Sequence, residues 1–351
     1  MTRRIDITAS CRDSDAIPKV ANAGEILTVD GCSVQIMHND VRVLAGGYHG
    51  DWMAEIIRRL RGHHEPQEEL VFHEILKHVP AKASMIELGG FWSYYSLWFL
   101  SHAPALRKSI VLEPDSNNLQ VGRKNAALNE RSIEFIQGFV GPRSTGLCTF
   151  MTETAGEVMI PQIAVPDLMR DRGISHLDIL HCDTQGAEVD VIKSCELLLR
   201  DRRVRFVVVS THAHQITGDP LTHQRCLELL CSFGGQILAE HDVHESFSGD
   251  GLIAAYFGAE ALAWPHLPLS YNRYSTSLFP NPLYDLSTSL QEIAALKQQR
   301  DDARTEKDRL SNRPPAVCSE IKDARSSTSW RGSLPMRLAG RLVKRGLGRS
   351  R

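Results

Sequence analysis

The sequence predicts an α/β protein built on a doubly wound, mainly parallel, seven-stranded sheet, and three features predict it. The stretch Met85-Ile86-Glu87-Leu88-Gly89-Gly90 is a short apolar run ending in an acid and two glycines, after which Tyr95, Trp98 and Phe99 take up helical spacing. From there strand-like and helix-like segments alternate, with Phe206-Val207-Val208-Val209 apolar on both faces, as a buried parallel strand should be. Finally, two late strands, Gln236 to Ala239 and Leu252 to Phe257, have no predicted helix between them and read as an antiparallel hairpin at the sheet edge.

In order, residues 1–64 read as a small N-terminal extension. Glu25 to Val29 and Ser33 to Met37 alternate around an Asp30-Gly31 turn, the pattern of a hairpin. Asp51 is a candidate cap for a helix whose stripe is Trp52, Ile56, Ile57 and Leu60. His63, His64 and His73 are near enough in sequence to suggest a metal, but locally bonded histidines are the default and no metal site is expected.

Residues 65–258 form the expected main domain. After a helix over Glu68 to His78 come the strand of Ser84 to Leu88, a second strand, Ser109 to Leu112, ending in Glu113, and a helix from Ser116 to Asn129. A third strand, Ile133 to Ile136, ends at Gln137-Gly138; Thr149 to Met151 and Ile163 to Val165 are minor strands. The fourth main strand, Leu177 to Cys182, ends in Asp183 and leads into one helix from Ala187 past Leu198.

Ligands of open α/β sheets bind beyond the carboxyl ends of the strands. Those ends carry Glu87 and Gly89, Glu113, Gln137 and Gly138, Asp183, and then Thr211, His212 and His214. Glycine lets the backbone approach a ligand, and the first N–H groups of the next helix point to the same place. Glu113 lies 26 residues after Glu87, close to the spacing at which a second-strand acid meets a nucleoside ribose.

The run Glu87 to Ser96, the pair Glu113-Pro114 with Asn125 and Asn129, and Asp178-Ile179-Leu180-His181-Cys182-Asp183-Thr184-Gln185-Gly186-Ala187-Glu188 together resemble the FkbM family of S-adenosylmethionine-dependent methyltransferases. The resemblance covers about residues 65 to 258 and implies a class I methyltransferase (Rossmann-like) fold and methyl transfer to oxygen, often on sugars or secondary metabolites. It implies S-adenosylmethionine as cofactor, with Glu87, Gly89, Gly90, Trp92, Glu113 and Asp183 around it and Gln137 or Gly138 near the adenine. Asp183, with His212 or His214, would handle the acceptor hydroxyl. The sequence departs from the family pattern: Glu87 stands for Asp, Phe91 for Asn, Ser93 for Gly, His181 for Lys and Gln185 for Glu. Phe91 and Trp92 offer cation–π attraction to a sulfonium, whereas Ser93 restricts backbone approach. Inside its strand, His181 has a hydrogen-bonded structural role as its ordinary alternative.

Two other classes fit parts of the pattern. A methyltransferase-like binding domain without catalysis would account for Ser93 and Gln185. A nicotinamide-dependent oxidoreductase shares the glycine turn and acid, but the run after Glu87 lacks the second and third glycines of Gly-x-Gly-x-x-Gly.

Composition limits the partners. A formal net charge of −2 with basic residues concentrated in the tail argues against nucleic acid. The eight scattered cysteines lack any Cys-x-x-Cys pair, which suits reduced thiols and a cytoplasmic protein. No apolar run approaches the ~20 residues of a membrane span.

Residues 259–285 read as an extended linker and 286–310 as a polar helix, a candidate short coiled coil for oligomerisation although few heptads are sustained. Residues 311–351 form a flexible basic tail, in which Trp330 to Arg351 carries seven basic residues and no acid. Leu334, Leu338, Leu342 and Leu347 give that end the composition of a basic amphipathic helix for an anionic membrane surface, so peripheral contact with the inner membrane is an expectation. Ser326 to Arg337 is similar to the tails of some bacterial surface-polysaccharide glycosyltransferases, which implies a glycan acceptor.

Overall fold

Asp30 and Gly31 both adopt positive φ, the turn geometry that a two-residue hairpin needs, and the hairpin forms as expected. A computed structural model describes residues 1–272, Leu278 and 282–311, with side chains in the last helix from 290 to 309. The extension begins with α1 (Thr2–Thr8) and continues as β1 (Ile26–Val29), β2 (Cys32–Ile36) and β3 (Arg42–Leu44), an antiparallel sheet in that order. The sequence does not announce β3, because its partners are distant: Asn125 accepts from Leu44 N, and Asn129 both accepts from Arg42 N and donates to Arg42 O. Helix α2 (Asp51–Arg59) is capped by Gly50 at φ 81°, so Asp51 is its first helical residue and not the expected cap. Pro66 opens α3 (Pro66–Lys77), two residues before the predicted start.

The main domain runs β4 (Ser84–Leu88), α4 (Tyr94–Ser101), β5 (Lys108–Glu113), α5 (Ser116–Leu128) and β6 (Glu134–Gln137). A small sheet follows, made of β7 (Phe139–Val140), β8 (Leu147–Met151) and β9 (Glu157–Ile163). Val165, expected within a minor strand, instead opens α6 (Val165–Asp171), where Pro166 suits a first helical turn. Next come β10 (Leu177–Cys182), α7 (Glu188–Ser194), α8 (Glu196–Arg200), β11 (Val204–Thr211), α9 (His214–Thr217), α10 (Thr222–Ser232), β12 (Gln236–His241) and β13 (Gly251–Tyr256). The helix predicted from Ala187 past Leu198 is thus two helices, broken at Cys195.

The seven-stranded sheet has the order β12-β13-β11-β10-β4-β5-β6, with β13 antiparallel to β11 and β12 and the other pairs parallel. This is the doubly wound class I methyltransferase sheet that the resemblance implies. Strand order reverses between β4 and β10, whose carboxyl ends therefore open a crevice. Alternation sorts the side chains of β11: Phe206 and Val208 enter a core beneath α3, α4 and the extension, and Val207 and Val209 enter one shared with α6, α7 and α10. Cys182 and Cys195 are fully buried in the second core, as small apolar residues.

Residues 259–272 depart from the expected linker. They lack regular structure, yet Leu262, Trp264, Leu267 and Leu269 pack on the first core, and Ser270 donates from its backbone N and Oγ to Asp13. Apolar side chains inside a polar, Pro-rich run make this a strap on the domain.

Residues 282–311 form a single helix, α11 (Pro282–Ser311), which exposes Leu290, Ile293 and Leu296 and carries the Arg309–Glu306 ion pair. The basic tail and its expected membrane contact lie outside the described residues. Among the described residues no helix is long and apolar enough to cross a membrane.

Candidate active site

The crevice deepens into a cavity of about 620 Å³. Its floor is the carboxyl ends of β4, β5 and β10, carrying Glu87, Glu113, His181 and Asp183. One wall is the extension, through Tyr48, His49, His64 and Glu65. The other is the tip of the β8–β9 hairpin, through Phe150 to Glu153.

The glycine turn is required by its surroundings. Gly89 has φ 73°, and a Cβ there would lie 1.7 Å from the Asp183 carbonyl oxygen. Gly89 N donates to Leu112 O at 2.8 Å and Asp183 N to Leu88 O at 2.9 Å, so this turn binds the ends of β4, β5 and β10 to one another. A Cβ on Gly90 would meet Val111 at 2.5 Å, and one on Gly138 would meet Pro161 O at 2.9 Å. All three glycines border the cavity and leave backbone open for a ligand.

Glu113 stands at the end of β5. Its Oε2 accepts from Phe91 N at 3.0 Å and its Oε1 from Asp115 N at 2.9 Å, so the carboxylate is held with lone pairs to spare. Burial raises its pKa to about 7, against these two backbone donors, which lower it. Asp115 caps α5 through Asn117 N and also accepts from Thr154 and Ala155, which ties the hairpin tip over the site. Glu87 is likewise raised to about 7 by burial and accepts from Ser96 N at 3.1 Å in the first turn of α4. Trp92 stacks on Tyr48 with ring centroids 4.5 Å apart and planes within 4°. Asn125 reinforces that turn by donating to Trp92 O.

Ser93, in the family's glycine position, adopts φ 63°, and its buried Oγ has no hydrogen-bond partner. Gly122 on α5 leaves room for it, since a Cβ there would sit 2.5 Å from Ser93 Oγ. The left-handed conformation costs an L-residue about 1–2 kcal/mol, partly offset by the greater unfolded-state entropy of glycine. Ser93→Gly should therefore stabilise the domain by about 1 kcal/mol in urea unfolding; equal or lower stability would contradict this account of the strain.

Several expected residues take other places. Gln137 does not line the cavity; its amide donates to Pro114 O. His214 is exposed at the start of α9 and is also absent from the lining. His212 is buried behind the site, its Nδ1 2.8 Å from Glu188 and its Nε2 3.1 Å from Asp183 and 3.6 Å from Asp250. Burial alone would lower its pKa, but Asp250, Asp183 and Glu188 outweigh burial and hold it well above the usual histidine range. With a carboxylate at each ring nitrogen, His212 supports Asp183, which does border the cavity, and does not stand beside the cavity as a free base.

The extension contributes what the sequence reading leaves out. Glu69 is fully buried and pairs with His63, while its Oε1 accepts from His64 N at 2.9 Å and Glu65 N at 3.3 Å. Glu65 and Glu69 outweigh the effect of burial and raise His64 to about 10. Tyr95 Oη donates to Glu65 at 3.0 Å. His63 and His64 are thus bonded locally, as the default reading has it, and His73 lies against the Trp98 ring. Among the described residues no group of three or more His, Cys, Asp or Glu is arranged to hold a metal ion. A histidine doublet followed by three acids within six residues was the available signal, but only the fold shows that it walls the cavity.

His181 also borders the cavity, with Nε2 2.7 Å from Glu68 Oε1 and its ring 4.3 Å from that of Tyr95. Glu68 outweighs burial and raises the His181 pKa.

Residues 81–237 match the family described as the methyltransferase FkbM domain. No curated protein matches the chain. Among solved structures the chain is similar to precorrin-6y C5,15-methyltransferase from Geobacter metallireducens, at 14% identity over 53% of this chain and 87% of that one, TM-score 0.35. It is also similar to M. capricolum TrmK in complex with S-adenosyl-homocysteine, at 12% identity over 72% of this chain and 91% of that one, TM-score 0.36. The N-terminal domain of human METTL16 in complex with the same compound is similar at 14% identity over 55% of this chain and 70% of that one, TM-score 0.35.

Proposed function

Residues 81–237 are a methyltransferase FkbM domain, and on that premise we propose that the chain transfers a methyl group from S-adenosylmethionine to a hydroxyl oxygen of a sugar or polysaccharide. The observation that carries the reading is the cavity itself, where a glycine turn, a held carboxylate on β5 and an acid on β10 converge at the switch point of the sheet. When bound, S-adenosylmethionine supplies an electrophilic methyl carried on a sulfonium.

The residues fit that group. Glu113 keeps lone pairs free for a ribose diol, and the Gly89-Gly90 turn borders the cavity while its missing side chains let the ends of β4, β5 and β10 close up beneath it. Asp183, and Glu87 once pH is above its raised pKa of about 7, give the floor the negative charge that a sulfonium and an amino group favour. Phe91 and Trp92 add aromatic surface beside them. For the acceptor, Tyr48 and His49 offer flat faces at the wall, and Glu65 offers an acceptor for hydroxyl protons. An in-line displacement asks that donor and acceptor be held close to collinear, a task that would fall to the two walls of the cavity.

Ribose binding uses the ionised form of Glu113. With its pKa near 7, the carboxylate is charged above that pH and gains a proton below it. Affinity for S-adenosylhomocysteine should therefore fall roughly tenfold from pH 8 to pH 6, and Glu113→Gln should remove that part of the slope. Calorimetry across the range checks it; an equally steep profile in the variant would contradict the role.

The acceptor class is tested by incubation with methyl-labelled S-adenosylmethionine and a panel of monosaccharides, nucleotide sugars and bacterial polysaccharides. Base-stable label on a sugar oxygen is the expected result; transfer confined to nitrogen or carbon acceptors in a wider panel would overturn the oxygen assignment.

A further inference from the structure

Resting on the methyltransferase reading, we infer that His181, oriented by Glu68, is the general base that removes the acceptor proton. Among the histidines at or behind the cavity, it combines a lining position with one ring nitrogen held by a carboxylate and the other unpaired. His212 has carboxylates at both ring nitrogens and does not border the cavity. His64 lies among the Glu65 and Glu69 carboxylates, which keep it charged. His49, in the wall, has its Nδ1 3.8 Å from Glu153, beyond hydrogen-bond distance of an orienting carboxylate. His181 borders the cavity, is 98% buried as a side chain, and has its Nδ1 without a hydrogen-bond partner.

The opposite ring nitrogen is fixed. Glu68 Oε1 takes Nε2–H at 2.7 Å, and Glu68 Oε2 accepts from Ser210 Oγ at 2.8 Å, so the orienting carboxylate is itself oriented from β11. A carboxylate on Nε2–H selects the tautomer whose lone pair is on Nδ1. His181 is in register with Glu87 on the neighbouring strand and lies two residues before Asp183, so it stands among the acids assigned to the donor and acceptor. The Tyr95 ring packs against the imidazole with centroids 4.3 Å apart. The charged groups acting on His181 are Glu68 from α3, Glu87 from β4 and Asp183 from its own strand end.

The step balances. The acceptor oxygen forms its bond to the methyl carbon as the carbon–sulfur bond breaks, and the sulfur leaves with that electron pair as a neutral thioether. The acceptor proton passes to His181 Nδ1, and the imidazolium so formed is stabilised by Glu68. The family's lysine at this position has no second nitrogen for a carboxylate to orient, so the exchange to histidine is matched here by Glu68 and Ser210 from elsewhere in the fold.

The test has two arms. Nitrogen-15 NMR of the imidazoles in the ligand-free protein should show, above the titration point of His181, a proton on Nε2 and a bare Nδ1, and Glu68→Gln should lower that titration point. A proton on Nδ1 with Nε2 bare, or a ring doubly protonated from about pH 6 to 10, would overturn the assignment. In the second arm, His181→Gln should lower kcat for sugar methylation by ~10²–10⁴-fold, with S-adenosylhomocysteine affinity within about threefold of the parent. His181→Lys should recover part of the loss, with an altered pH profile. Turnover undiminished in His181→Gln would sink the base while leaving the methyltransferase reading intact. A folded parent protein that fails to bind S-adenosylhomocysteine would sink that reading itself.

Discussion

Gly89→Ala should cost the domain at least about 3 kcal/mol and weaken cofactor binding more than 100-fold, the largest effect expected of any single methyl group in this chain. The methyl would meet backbone, since its nearest neighbour is the Asp183 carbonyl oxygen at 1.7 Å, and φ is 73°. Backbone cannot swing aside as a long side chain does. The strand ends would have to part, breaking the bonds from Gly89 N to Leu112 O and from Asp183 N to Leu88 O and displacing Glu87 and Asp183 together. Gly31→Ala is the control: it has a similar φ of 79°, but its Cβ meets nothing within 4 Å. That variant should lose only the ~1–2 kcal/mol of the left-handed conformation and bind cofactor normally. Urea unfolding and calorimetry on both separate collision from strain; equal losses in the two would contradict the account.

Glu69→Ala should destabilise the domain by about 3–5 kcal/mol, because it removes one side of a buried ionic cluster and leaves the other side unpaired. His63, His64 N and Glu65 N would all lose an acceptor inside the fold. The pH dependence has a defined sign. The histidines outweigh burial and hold the Glu69 pKa well below 4.5, so its contribution is present above that pH and lost as pH falls through the depressed value. His64 is raised from 6.5 to about 10, so its contribution is full below 6.5 and lost as pH rises through 10. The gap between parent and variant should therefore be widest from about pH 4.5 to 6.5 and shrink toward either extreme. A gap that grew toward pH 10 would contradict the assignment of His64 as the cation of the cluster.

Much of the floor of the site is legible in the sequence because it is local. An apolar run, an acid and two glycines place Glu87 and Gly89 at a strand end, and the acids ending β5 and β10 follow from the same alternation. The walls depend on contacts between distant residues. Tyr48, His64 and Glu65 reach the cavity because Asn125 and Asn129 hold β3 against α5 and because Glu69 gathers the turn before α3. No spacing within residues 1–64 encodes the first contact, and the second, though local, is signalled only by the histidine doublet ahead of Glu65, Glu68 and Glu69. His212 is the opposite case: position after an apolar strand puts it near the site, but Glu188, on the helix after β10, takes one ring nitrogen and the side chain does not border the cavity. Gln137 is at the right strand end and turns its amide to Pro114 O, a rotamer choice that sequence does not report. Residues 259–272 mislead by composition, since Trp264 and Leu267 pack on the core from within a Pro-rich run.

Calorimetric titration of the purified chain with S-adenosylmethionine and S-adenosylhomocysteine, with NAD as control and Glu113→Ala alongside, tests the central claim most directly. The account predicts binding of both sulfur compounds at micromolar concentration, none of NAD, and a loss in the variant of about 1–3 kcal/mol, the value of a hydrogen bond to a charged group. Silence with both sulfur compounds in a folded sample, or binding unchanged in Glu113→Ala, would contradict it.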